Sequence, residues 1–158
     1  MPPYAGRWTP LFNGKDLADW SFYQDGIGDT DTTNTVVVDA GVIHMLGPRH
    51  TGGERPGFGH IATVREYENY HLRFEYKYGE QRFEPRLLAK RNSGVPIHMF
   101  PEKDRVWPNS VDLQLQESDV GDAIMINTRC YPRRGSGWHT GLVESGAFAS
   151  QANFPAAP

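Results

Sequence analysis

The chain has 158 residues, the size of one domain with a core of its own, and is 38% hydrophobic with 12% aromatics. A net charge of −3 leaves no basic surface of the kind that binds nucleic acid, and no polybasic run that would hold an anionic membrane. No stretch approaches the roughly 18 apolar residues of a membrane span, and the opening residues lack the charged-then-apolar pattern of a signal peptide. The single cysteine, Cys130, has no partner for an internal disulfide and reads as a small half-buried strand residue.

Glycine (17) and proline (12) punctuate the chain, as many short strands joined by turns require. Helical periodicity is nearly absent, whereas alternation recurs. Residues 24–35 (QDGIGDTDTTNT) read as a polar loop. Val36–Asp39 and Val42–Leu46 flank Ala40-Gly41 as a tight hairpin. Residues 47–58 form a Gly/Pro-rich loop, a class of segment that often carries function. A weaker strand fits 59–64.

The plainest alternation is 71–78, where Leu72, Phe74, Tyr76 and Tyr78 share one face and His71, Arg73, Glu75 and Lys77 the other. Further strands are expected at 87–91, 92–98, 110–117, 123–131 and 141–144, with a poorly ordered tail over 147–158. In 110–117 the pattern predicts Val111, Leu113 and Leu115 inward and Asp112, Gln114 and Gln116 outward. In 95–99 it sets Val95, Ile97 and Met99 against His98. These features give an all-β, antiparallel β-sandwich or jelly roll, one domain over 1–146.

No phosphate-cradling glycine motif, Cys/His metal finger or Gly-x-Ser-x-Gly elbow is present. A carboxylate beside two amides (Asp112, Gln114, Gln116) offers directional groups suited to sugar hydroxyls, against the plainer reading of a solvated strand face. His98 is a natural proton shuttle if a site lies there, although a lone histidine is more often structural. Arg86, Lys90 and Arg91, just before Asn92-Ser93-Gly94, are either a solvated charge run or stabilisers of a developing oxyanion. Trp107 can stack on a sugar face. A divalent metal, if one is used, would draw on His98 with Asp112 or Glu117.

Four ordered blocks carry a family resemblance: Leu11-Phe12-Asn13-Gly14-Lys15-Asp16-Leu17 through Trp20; Tyr67–Glu75; Lys90-Arg91-Asn92-Ser93-Gly94-Val95; and Trp107–Glu117, ending in Gly121-Asp122. In this order they resemble the 3-keto-disaccharide hydrolase family, formerly a domain of unknown function with a concanavalin A-like lectin/glucanase jelly roll. Asn92 and Asp112 stand where that family commonly carries Asp and Glu. Family domains normally continue into further strands not found after residue 144; the chain is then truncated, completed by a partner or a minimal variant, and unpaired sheet edges would be covered by a second copy or a partner chain.

The resemblance implies a 3-keto-glycoside substrate, a periplasmic or secreted setting, and cleavage by C2 deprotonation, β-elimination and hydration. His98 would be the base, Asp112 its orienting group or the acid, and Lys90 or Arg86 the partner of the C3 oxygen. Asn92, Gln114, Gln116, Glu117 and Trp107 would hold the sugar. The competing readings are a carbohydrate-binding module without catalysis and an assembly subunit on the same fold.

Overall fold

The computed structural model describes residues 7–100, 102 and 104–129. Seven strands run through them: β1 (Trp20–Gln24), β2 (Val36–Asp39), β3 (Val42–Met45), β4 (Gly59–Thr63), β5 (Asn92–Ile97), β6 (Ser110–Gln116) and β7 (Asp119–Ile126). Every pairing is antiparallel, and no helix occurs among the described residues, so none is long and apolar enough to cross a membrane. The all-β antiparallel class read from the sequence is the class observed. The chain divides into two compact units, Met1–Gln81 and Arg82–Pro158.

In the first unit, β1 pairs with β4 from Trp20↔Thr63 to Gln24↔Gly59, and Tyr23 stacks on His60 with ring centroids 6.1 Å apart. The Asn-Gly-Lys-Asp segment before β1 is a side-chain-built turn. Asn13 Oδ1 accepts from the backbone N–H of Lys15 (2.7 Å) and Asp16 (3.0 Å), and Asn13 Nδ2 donates to Asp16 Oδ1 (2.8 Å). The hairpin β2–β3 closes on Ala40-Gly41, both at positive φ (48° and 77°), as a two-residue turn matched to strand twist requires.

The polar loop 24–35 is organised by one carboxylate. Asp31 accepts from the backbone N–H of Thr33 (3.0 Å), Thr35 (3.0 Å) and Val36 (2.8 Å), and so fixes the entry to β2. Burial raises its pKa, but the hydrogen bonds from Val36, Thr35 and Thr33 together outweigh it and hold the carboxyl below 3.8.

The alternating segment 71–78 does not become a strand. Among the described residues it joins no ladder, and Phe74 and Tyr76 are exposed. Alternation defines an apolar face, but a strand also needs a neighbour to take its N–H and C=O groups, and none among the described residues pairs with it. Tyr76 instead sits edge-on to Tyr78, ring centroids 5.5 Å apart.

In the second unit, β5, β6 and β7 form a three-stranded sheet in that order. The expected strand 87–91 does not form: residues 87–89 are bends and 90–91 have no regular structure, with Arg86 N donating to Phe83 O (2.8 Å) and Ala89 N to Arg86 O (3.2 Å). β7 starts four residues before the expected 123, because Glu117-Ser118 closes a two-residue turn with Ser118 at φ 64°. A bulge lies between Leu113 and Leu115. Residues 130–131, Cys130 included, the expected strand 141–144 and the expected tail lie outside the described residues.

Replacing Asp31 by Ala leaves three backbone donors without their acceptor. The expected cost is about 1–3 kcal/mol in urea unfolding. Because the native pKa is depressed, the wild-type advantage is full above about 3.8 and is lost as pH falls through the lower native value. Equal stability of Asp31→Ala and wild type at pH 7 would show that the loop is held otherwise.

Candidate functional site

The β5–β6 ladder sets Pro96 opposite Asp112, Gly94 opposite Gln114 and Asn92 opposite Gln116, so one face of two strands carries a row of polar groups. From Asp112 to Gln116 this row spans roughly 13 Å at about 3.3 Å per residue. Burial reverses the sequence expectation. Ser110, Asp112, Gln114 and, on β7, Asp122 are buried, while Val111 and Leu113 are half-exposed and only Leu115 of the apolar set is buried. Period two separates two faces; which face is covered depends on what packs against the sheet, and the pattern does not carry that information.

Gly94 explains how a carboxyl group fits there. A Cβ at position 94 would overlap Cγ, Oδ1 and Oδ2 of Asp112, so the carboxyl lies directly on the glycine backbone of the neighbouring strand. A glycine inside a strand is costly unless something must approach closely, and here the group that approaches is the acid. Asp112 Oδ1 is buried without a hydrogen-bond partner among the described residues, and burial raises the pKa from 3.8 to about 6. At mildly acidic pH this group is a neutral carboxylic acid, able to donate a proton.

Glu117, just past β6, has a different role. It accepts from the backbone N–H of Arg91 (2.7 Å), from the Arg91 guanidinium and from Arg82 Nη2 (3.5 Å), while its own N–H donates to Arg91 O (3.0 Å). The Arg91 side chain first, then the Arg91 N–H, pulls its pKa down to about 2. Arg82 also donates to Ala89 O (2.5 Å), and Arg86 Nη2 to Lys90 O (3.0 Å). Residues 82–91 are therefore folded by guanidinium bonds and locked to the end of β6. Of the expected cations, Arg86 is engaged with backbone and Lys90 is exposed.

His98 is not on the strand. It follows the last residue of β5, is exposed and has φ 51°, which breaks the alternation that set it against Val95 and Ile97. It lies at the Asp112 end of the ladder, two residues beyond Pro96. Asn92, Lys90 and Glu117 lie at the other end, about 20 Å away along the strand. The mixed metal set His98, Asp112 and Glu117 is thus not gathered, and no group of three or more His, Cys, Asp or Glu side chains among the described residues is placed to hold a metal ion. Trp107 is exposed in the connection before β6, its carbonyl accepting from Asn127 Nδ2 (3.0 Å).

The sequence reading did not anticipate the roles of Gly94 and Arg82. Gly94 carried a usable signal, a glycine within an otherwise strand-like run. The Arg82–Glu117 pair is 35 residues apart and leaves no local pattern.

Gly94→Ala forces the Asp112 carboxyl out of place and is expected to cost about 1–3 kcal/mol. Most of that cost should vanish in an Asp112→Ala background, as a double-mutant cycle in urea would show. A separate pH series tests the burial. With a native pKa raised to about 6, the stability from Asp112 is full below 3.8 and is lost as pH rises through about 6. The wild-type minus Asp112→Asn difference should therefore fall across that window; a flat difference would contradict the buried acid.

No curated protein and no solved structure matches this chain. A family model described as the 3-keto-alpha-glucoside-1,2-lyase-like domain matches residues 7–155, from before β1 to beyond β7. That family is lyase-like toward 3-keto-glycosides, which supports a glycoside-cleaving role in general. The ordered motifs, the antiparallel sheets and a match over nearly the whole length agree: the chain belongs to the 3-keto-alpha-glucoside-1,2-lyase-like domain family.

Proposed function

We propose that the chain cleaves 3-keto-glycosides by elimination and hydration, with Asp112 as the acid. The observation that supports this reading most is the Asp112 carboxyl held on Gly94 at the head of a polar row. The C3 ketone acidifies the hydrogen on C2. Removing that proton forms an enolate, whose collapse expels the C1 glycosidic oxygen and leaves a C1–C2 double bond conjugated to the ketone. Water then adds hydroxyl at C1 and hydrogen at C2, so the net change is hydrolysis.

His98, at the same end of the ladder, is the proposed base, and the neutral Asp112 carboxyl protonates the departing oxygen. The Gln114 amide, next along the face, is the proposed donor to the C3 oxygen. Gln116 and Asn92 extend the row and hold hydroxyls of the second sugar. Lys90 and Arg86 lie at that far end and act on the distal part of the substrate rather than on the enolate. The jelly-roll closure implied by the resemblance belongs to the same proposal.

One observation favours the binding-module reading. Glu117 is held by Arg91 and Arg82, Asp119 accepts from Gln116 Nε2 (3.3 Å) and Asn92 is an amide, so the carboxylates described at the far end of the row are engaged within the protein. The two readings separate on a 3-keto-glucoside with a chromogenic aglycone. Aglycone release is expected, with kcat falling on the order of 10²–10⁴ in Asp112→Asn. Because the acid must be protonated, activity should fall as pH rises through about 6, and that limb should disappear in the variant. Saturable binding without turnover would instead establish the module. Full activity in Asp112→Asn would remove the acid assignment.

A further inference from the structure

In the first unit, residues 72–77 alternate without joining a ladder, yet their side chains meet as those of a strand do. Arg73 pairs with Glu75 (3.6 Å), the rings of Phe74 and Tyr76 lie 6.3 Å apart, and those of Tyr76 and Tyr78 lie 5.5 Å apart. Side chains two residues apart thus form two separate rows, one charged and one aromatic. No backbone N–H or C=O of 72–77 makes a hydrogen bond among the described residues. The Arg73 and Glu75 side chains are 72% and 90% exposed, and Phe74 and Tyr76 are exposed as well. An open backbone edge flanked by aromatic side chains is a template for a further strand.

Two copies related by a two-fold axis pair such a segment antiparallel with itself, and the charges then select the register. Centred on Phe74, Arg73 stands opposite Glu75 of the second copy, and this pair occurs twice. Leu72 stands opposite Tyr76 and Phe74 opposite Phe74, so apolar residues meet apolar ones. Centring on Arg73 or on Glu75 sets like charges against each other. Centring on Leu72 or on Tyr76 sets Tyr76 or Leu72 against Glu68 or Glu80. Another chain matches Arg73 and Glu75 only if it carries the same charges in reverse order, and this chain read antiparallel carries them.

We propose that residues 72–77 are a self-recognition strand, through which two copies of the chain pair antiparallel with Phe74 opposite Phe74. Trp8, Pro10 and Leu11, with Leu72 and Phe74, line a groove of about 590 Å³ beside this strand. In the Phe74-centred register, Tyr76 of the second copy stands opposite Leu72, one of the groove's walls, which gives its ring an apolar bed. The contact uses only residues of the first unit and rests on nothing in the reaction proposed above.

Sedimentation velocity of the full chain over a concentration series tests this, and a reversible monomer–dimer equilibrium is expected. Arg73→Glu and Glu75→Arg each place like charges across the axis twice. Each should raise the dimer Kd at least about tenfold, with an unchanged melting temperature because both side chains are exposed. Mixing the two variants should restore the dimer as a one-to-one hybrid in native mass spectrometry, since the reversed charges then face their opposites. If either single variant fails to fold, Phe74→Glu decides alone: it sets two carboxylates on the axis and should abolish the dimer. A chain that stays monomeric at millimolar concentration, a dimer indifferent to these substitutions, or a mixture that forms no hybrid would each overturn the proposal.

Discussion

The second unit is arranged around the contact of a carboxyl group with a glycine. Asp112 can be buried on a sheet face only because Gly94 on the adjacent strand presents no side chain, and that burial lifts its pKa to about 6. A carboxyl in this position is a liability for folding and an asset for proton transfer, a trade-off common where chemistry is done. The paired registers of β5 with β6 then follow as the frame that keeps the two residues together, with Gln114 and Gln116 continuing the same face.

Carboxylates with the opposite treatment brace the rest. Glu117 is kept ionised by the Arg91 guanidinium and backbone N–H and by Arg82, and it fastens a segment without regular structure to the end of β6. Asp31 performs the equivalent task in the first unit by accepting three backbone N–H groups. Three acidic residues thus divide by environment: two are surrounded by donors and sit low, and one is surrounded by little but burial and sits high.

Much of this was legible in the residues. Alternation in 110–117, the Ala40-Gly41 turn and the Asn13-Gly14 turn are local features, and local geometry decides them. What stayed hidden is non-local. Residues 71–78 alternate as well as any strand here, yet alternation cannot supply a pairing neighbour. Both faces of β6 are partly covered, Leu115 on the apolar one and Asp112 and Gln114 on the polar one, and period two alone does not say which is covered more. His98 looked like a strand residue because Ile97 and Met99 flank it, but its positive φ ends the strand. The family resemblance located Asp112 and Gly94; only the structure showed that one rests on the other.

The most direct measurement is the titration of Asp112 itself, by carboxyl carbon NMR of protein labelled at aspartate, with Asp112→Asn identifying the resonance. The buried acid predicts a midpoint near 6, moving toward the ordinary value when Gly94→Ala displaces the carboxyl. A midpoint in the usual aspartate range, about 3.9, would contradict the account at its centre.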